Sequence, residues 1–266
     1  VRIVTWNVNS IGARLERVVA WLEAQQPDVV ALQELKCTTE AFPAAEVNAL
    51  GYEVAAHGTG RWNGVALLSR VGLADVTRDL PGQPEFEGAV EPRAIAATCA
   101  GVRVWGVYVP NGREPDHAHF DYKLAWLDVL AGTLAREHAD DPSRPLTVIG
   151  DFNIAPTDAD VWDIAQFRDS THVTPAERAR LTTLTDAGFA EVMPRSLKGE
   201  PFTFWDYRAA SFGRGWGMRI DLVYGNPAFT SRVRDAWIDR EERKGKGASD
   251  HAPVVIDLDG PGRDGA

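Results

Sequence analysis

Five short apolar runs in this chain end in polar residues that could hold a cation or move a proton. Val1–Val4 leads into Thr5-Trp6-Asn7-Val8-Asn9, and Val29-Val30-Ala31-Leu32-Gln33 leads into Glu34. Leu146-Thr147-Val148-Ile149 runs into Gly150-Asp151-Phe152-Asn153, Ile220 directly precedes Asp221, and Ser249-Asp250-His251 directly precedes the closing apolar run. One such residue at the end of a strand is an ordinary cap or turn residue. Five such ends place a row of polar groups along one rim of a sheet, where burial without partners costs on the order of several kcal/mol each. A bound cation would satisfy them together. Asn, Asp and Glu are hard oxygen donors, no Cys is near them and only one His joins them, which favours Mg²⁺ or Mn²⁺ over zinc. Ions of this kind keep several waters and bridge carboxylates to a substrate phosphate, so the expected chemistry is phosphoryl transfer to water.

The elements that must position these residues are mostly short strands. Arg2–Val8, Val29–Gln33, Val65–Ser69, Ile95–Ala97, Val102–Val109, Leu146–Ile149, Ile220–Tyr224 and Val254–Leu258 are apolar, rich in Val and Ile, and bounded by turn residues. Two longer segments have helical spacing: Ala13–Gln25, stopped by Pro27, and Phe120–His138 with Leu124, Leu127, Leu130 and Leu134 on one face. A third helix is expected to begin at Pro175, with Thr174 as N-cap and Glu177 placed for a capping box. Many strands with few helices between them imply two packed sheets covered by helices outside. No linker divides the chain, so residues 1–259 read as one domain and 260–266 as a frayed tail.

Composition excludes several classes. The hydrophobic fraction of 44% and nine Trp are ample for a buried core. No run approaches the roughly 20 apolar residues of a membrane span, and the first residues lack the pattern of a secretory signal. Cys37 and Cys99 are too few and too scattered for a disulfide framework or a Cys-based zinc site, so both are expected reduced in a cytoplasmic protein. The net charge of −10 argues against a protein that coats nucleic acid by charge alone. It is compatible with a carboxylate-rich cation site. Phe202 to Lys246 carries nine Lys/Arg against six Asp/Glu, a local +3 that leaves −13 for the remainder; a basic rim and a solvated charged face are both open readings of it.

Trp6-Asn7-Val8-Asn9, Leu32-Gln33-Glu34-Leu35-Lys36, Gly64-Val65-Ala66-Leu67-Leu68-Ser69 and Tyr108-Val109-Pro110-Asn111-Gly112 resemble the exonuclease III family of AP endonucleases. So do Gly150-Asp151-Phe152-Asn153-Ile154-Ala155-Pro156, Trp205-Asp206-Tyr207-Arg208, Arg219-Ile220-Asp221 and Ser249-Asp250-His251-Ala252-Pro253. The motifs fall in family order and span nearly the whole chain. The resemblance implies a four-layered α/β sandwich of the DNase I-like kind, two packed mixed sheets flanked by helices. It implies a Mg²⁺-dependent monomer, with Mn²⁺ as substitute, acting on duplex DNA. The implied reactions are incision 5′ to an abasic site leaving a 3′-hydroxyl, 3′→5′ exonuclease action and removal of 3′-blocking phosphates.

The same resemblance implies roles. Glu34 is the principal metal ligand, with Asn7 and Asp250 near the ion directly or through water, and with Asp151 and Asn153 contributing to its site. Asp151 orients and deprotonates the attacking water, and Asn153 steadies that water or the developing charge. His251 contacts a non-bridging phosphate oxygen, while Asp221 fixes its tautomer and favours its protonated form. Tyr108 hydrogen-bonds the phosphate or assists the leaving oxygen. Phe204, Trp205 and Met218 match positions that line a pocket for an extrahelical abasic sugar, snug enough to exclude a normal nucleotide. Phe204 stands where many relatives carry Trp. Asn9 is expected at the DNA, and Arg93, Lys123, Arg208 and Arg214 are candidates for phosphate contacts. His117 and His119 form a His-x-His read as surface residues at a helix start. Two other readings stay open at this point: a phosphatase or phospholipase of the same superfamily, and a non-catalytic DNA-binding module. The Trp-Asp-Tyr-Arg stretch weighs against the first, and the intact set of polar residues against the second.

Overall fold

The computed structural model describes residues 1–260; the remainder of the expected tail, 261–266, lies outside the described residues. In chain order the elements are β1 (Arg2–Asn7), α1 (Ile11–Gln25), β2 (Val29–Gln33), α2 (Ala44–Asn48), β3 (Glu53–His57), β4 (Val65–Ser69), β5 (Ala74–Arg78), β6 (Ala94–Cys99) and β7 (Val102–Tyr108). They continue with α3 (Ala118–Asp140), β8 (Leu146–Asp151), α4 (Pro175–Asp186), β9 (Ala190–Glu191), β10 (Arg195–Ser196), α5 (Ser211–Arg214), β11 (Asp221–Gly225), α6 (Pro227–Thr230), β12 (Val233–Ile238) and β13 (Val254–Leu258).

The strands form two sheets. One runs β10-β12-β13-β1-β2-β4-β3 and the other β5-β6-β7-β8-β11-β9. Side chains alternate across each strand. Ile3, Val29 and Ala31 therefore point into the core between the sheets, while Val4, Val30 and Leu32 point outward against Val18, Trp21 and Leu22 of α1 and Val47 of α2. The second sheet does the same: Val104 faces inward, and Trp105 and Val107 pack outward on Trp126, Leu127, Leu130 and Leu134 of α3 and Leu181 and Leu184 of α4. With both faces covered, the central strands read as unbroken apolar runs, as expected of buried strands. At the middle of the sandwich the sheets come close. A Cβ added to Gly106 on β7 would lie 3.0 Å from the Ala31 Cβ on β2.

The helices have the expected terminators. Ser10 caps α1 by accepting from the Ala13 N–H, and Gln26 ends it in a left-handed conformation. At α4 Thr174 and Glu177 form both halves of the capping box, with Pro175 opening the helix.

Strand direction gathers the polar ends. β1 and β2 are parallel, as are β7 and β8. β13 is antiparallel to β1, and β11 is antiparallel to β8 with Asp221 opposite Asp151. The last residues of β1, β2, β7 and β8 therefore share one rim with the first residues of β11 and β13.

Candidate active site

At that rim the Asn7 side chain joins the two sheets. Its Nδ2 donates to Glu34 Oε1 at 2.8 Å and to Asp151 Oδ2 at 2.9 Å, while its Oδ1 accepts from the Asn9 backbone N–H. Glu34 lies one residue beyond β2 with φ 53°. Burial pushes its carboxyl up, but the Lys36 ammonium 3.0 Å away and the Asn7 amide outweigh it and hold it below the usual carboxylate range. Lys36 also donates to Asn9 Oδ1 at 2.5 Å, and Asn9 Nδ2 donates to Asp250 Oδ1 at 3.1 Å. Asp250 is thus linked to Glu34 through Asn9 and Lys36.

Asp151 ends β8 almost fully buried, and its Oδ1 accepts the Asn153 backbone N–H at 2.9 Å. That bond is an Asx turn, and it lets Asn153 take φ 51°. Gly150 is required before it, because a Cβ there would lie 1.9 Å from the Val107 carbonyl oxygen on β7. Burial, with Asp221 and Glu34 close by, pushes the Asp151 carboxyl up to about 7 against the pull of His251. His251 Nδ1 contacts Asp221 Oδ2 at 2.8 Å and its Nε2 lies 3.7 Å from Asp151 Oδ2. Burial alone would lower this imidazole, but the two aspartates carry it up to about 10. Both aspartates thus favour the protonated ring, the form in which each nitrogen donates. Tyr108 ends β7, and burial next to Glu34 drives its phenol well above the ordinary value, so it stays a hydroxyl donor.

Glu34, Asp151 and His251 each offer a ligand atom, and these atoms lie within 4.8 Å of one another. Glu34 and Asp151 offer hard oxygen donors to a cation, while a protonated His251 would favour an anion. Two further observations fit a divalent cation. Asp221 Oδ1 is buried without a partner, and burial, helped by the nearby Asp221 and Glu34 carboxylates, raises the Asp151 carboxyl to about 7.

The other expected site residues fall into two groups. Phe204 and Met218 do approach the site: they pair through backbone hydrogen bonds of 2.9 Å each way, and the Phe204 ring centroid is 4.9 Å from that of His251. Arg208 and Arg214 are exposed beyond them, in the locally basic segment. Trp205, Lys123 and Arg93 are instead buried. Trp205 is 1% exposed, packed edge-on against Phe212 in the core between the sheets. Arg93 pairs with Glu91 at 2.6 Å, lies over the Tyr108 ring and donates to the Tyr108 carbonyl. Lys123 is 0% exposed and paired with Glu177. All three are thus enclosed rather than on the surface, and the two cations lie behind site residues. His119 is likewise buried, not superficial: its Nδ1 accepts the Gly112 N–H, Phe86 and Tyr122 flank its ring, and burial lowers it to about 4.

Some supporting residues carried no role beforehand. Asn111 donates to Asn153 Oδ1 at 3.2 Å, and the His172 ring meets the Asn153 carbonyl at 2.5 Å. Lys36 and Asn111 sit inside the Gln-Glu-x-Lys and Tyr-x-Pro-Asn-Gly motifs, where their spacing could have marked them. His172, with φ 81°, has no local signature. Both cysteines are free, and burial pushes the Cys99 thiol up to about 11.

The model of the Endonuclease/Exonuclease/phosphatase family matches residues 4–251. Exodeoxyribonuclease III of Haemophilus influenzae is 32% identical over 265 residues, covering 95% of this chain and 98% of that protein. The 3′ phosphatase NExo from Neisseria, in a structure bound to a product DNA hairpin, superposes with a TM-score of 0.91 at 37% identity, over 97% of this chain and 99% of that one. An AP endonuclease from Archaeoglobus fulgidus superposes with a TM-score of 0.89 at 32% identity, over 97% and 99%. This chain belongs to the endonuclease/exonuclease/phosphatase family, in its exonuclease III branch. It is a hydrolytic nuclease with the DNase I-like fold. Among the described residues no helix is long and apolar enough to cross a membrane.

Proposed function

We propose that this protein is a Mg²⁺-dependent DNA repair nuclease that hydrolyses phosphodiesters at 3′ termini and 5′ to abasic sites in duplex DNA, acting as a monomer. The observation that carries the reading is the series Asp221–His251–Asp151–Asn7–Glu34, hydrogen-bonded except for a 3.7 Å charge contact between His251 and Asp151, which supports a general base, a cationic donor and a cation ligand on one rim. Glu34 and Asp151 would hold the ion, with Asn7 and Asn153 orienting them and Asp250 acting from one shell further out. When bound, the cation supplies Lewis-acid polarisation of the phosphate and neutralises the crowded carboxylates. Asp151, whose carboxyl burial raises to about 7, would take the proton of the attacking water. Asn153 holds that water by its side-chain amide. The His251 imidazolium donates to a non-bridging oxygen as charge builds there, and the Tyr108 hydroxyl donates to the leaving oxygen.

The similarity to a 3′ phosphatase and to an AP endonuclease supports both halves of this activity. Phe204, whose ring lies against His251, and Met218, paired with it through the backbone, are the residues that would border a sugar held at the site. The test uses one duplex with a central abasic site and one with a 3′-phosphate at a nick, each with Mg²⁺ and with EDTA. EDTA-sensitive release of the 3′-phosphate together with incision 5′ to the lesion is expected. DNA binding without hydrolysis of either substrate would refute the reading.

A further inference from the structure

Lys123 has no exposed surface, yet it carries a charge and meets four oxygen atoms. From α3 its Nζ donates to the Asn111 carbonyl at 3.1 Å, the Asn153 carbonyl at 2.7 Å, Thr171 Oγ1 at 3.3 Å and Glu177 Oε1 at 2.5 Å. Asn111 lies in the loop after β7, Asn153 and Thr171 lie near the two ends of the one connection from β8 to α4, and Glu177 stands in the first turn of α4 itself. Glu177 serves the α4 end of that connection twice. Its Oε2 closes the α4 capping box with Thr174, while its Oε1 accepts from Lys123, Thr171 Oγ1 and the His172 N–H. Burial would push this carboxyl up, but the Lys123 ammonium and the Thr174 and His172 donors hold it below its ordinary value.

We propose that Lys123 and Glu177 form a positioning clamp for Asn153 and never touch DNA. The ammonium draws the Asn111 and Asn153 main chains to one point, and there the Asn111 amide donates to Asn153 Oδ1. Asn153 holds a left-handed backbone, a conformation that costs an Asn something and persists only when its surroundings determine it. The Asx turn to Asp151 permits it, and the clamp adds the hold from the other side of the residue. Gly112 gives an independent sign that the lysine must pass here. A Cβ at Gly112 would lie 3.1 Å from Lys123 Cδ and 2.6 Å from Thr171 Oγ1, so the Pro-Asn-Gly turn leaves room for the lysine stem. A charge buried this completely is tolerated only with full pairing and hydrogen bonding, and here every ammonium proton has an acceptor.

The inference rests on the phosphodiesterase reading for its kinetic consequences and on geometry alone for its structural ones, so the test has both readouts. Lys123→Met alone leaves Glu177 buried and unpaired and is prone to unfold. The informative variant is Lys123→Met/Glu177→Gln, which removes both charges and keeps the bulk. Its kcat on the nicked 3′-phosphate duplex should fall about 10- to 100-fold, as displacement of a catalytic group by an ångström does, with KM within about 3-fold of the parent. In an Asn153→Ala background the same pair of changes should cost almost nothing in kcat, because its target is gone. Amide hydrogen exchange should quicken in residues 109–113 and 151–155 while the β1 and β2 amides stay protected. A rise in KM at constant kcat with a shallower salt dependence would mean that Lys123 reaches a phosphate, and would overturn the proposal. An undiminished loss of kcat beside Asn153→Ala, or unchanged exchange in both loops, would overturn it too. If the parent protein hydrolyses nothing, the functional reading fails, and the exchange experiment still decides whether the clamp exists.

Discussion

The seven-stranded sheet brings Asn7, Glu34, Lys36 and His251 to the rim, whereas the six-stranded sheet brings Tyr108, Asp151, Asn153 and Asp221. The first set holds both cationic side chains, and its glutamate is partly open to solvent beside Lys36. The second set is acidic and closed, with Asp151 and Asp221 almost wholly buried. Neither set is a site alone. Two contacts between the sheets, Asn7 to Asp151 and His251 to Asp221, turn two strand-end clusters into one centre. The open half can admit an ion, and the closed half sets proton positions, because a low dielectric magnifies each charge within it.

Breaking the closed half should cost most. Asp151→Asn removes the proposed base, and hydrolysis of the 3′-phosphate duplex should drop by ~10³-fold at saturating Mg²⁺; a rate within roughly 10-fold of the parent would exclude Asp151 as the base. Asp221→Asn leaves the imidazole in place without its strongest charged partner. We expect ~10²-fold lower kcat, with the remaining activity failing at a lower alkaline pH than in the parent, as a rate–pH profile would record.

Changes to the open half should act through the ion. Glu34→Gln is expected to raise the Mg²⁺ concentration for half-maximal rate by more than about 10-fold, the range seen for even an outer partner of a metal. Much of the rate should return at high Mg²⁺, and a loss that Mg²⁺ does not relieve would remove Glu34 from the cation site. The two halves also predict a trend in stability for the metal-free protein. The Asp151 carboxyl is raised on folding, so its ionisation disfavours the folded state as pH climbs from about 4 towards about 7. His251 is raised too, so its contribution is complete below about 6.5 and is lost as pH rises towards about 10. Both signs agree: in EDTA the melting temperature should fall from pH 5 to pH 9, and Mg²⁺ should flatten the slope. Lys36→Met should matter least. An ion pair left partly open to solvent contributes about 0–1 kcal/mol, so kcat/KM should change by no more than about 5-fold, and less at high salt.

How much of this was legible beforehand follows from which strands have neighbours on both sides. β1, β2, β4, β6, β7, β8, β11 and β13 are interior strands with covered faces, and each was visible as an apolar run. β3, β5, β9 and β10 are the four sheet edges and left no such signal: β5 reads Ala-Asp-Val-Thr-Arg and is mostly exposed. β12 lies next to an edge and alternates Val, Asp and Trp with Arg and Ala, so its pattern is also diluted. The polar rim was legible because each of its residues lies at the end of an interior strand or within a few residues of one. What lies behind the rim was not. Lys123 and Arg93 looked like phosphate contacts because lysine and arginine are usually solvated, and only the packed structure shows the carboxylates that draw them inward. His119 misled in the same way. Trp205 lies beside Phe204 in sequence, but the next residue of an extended segment points to the opposite side, here into the core.

The close approach of Gly106 and Ala31 gives the sandwich a shim of about one methyl group. Because each sheet supplies half of the rim, that shim also sets the gauge of the active centre some distance away. A bulkier residue at either position would pry the halves apart without touching any polar group. Such a protein would keep its fold, its charge and every residue of its machinery, and would still be out of alignment for its chemistry.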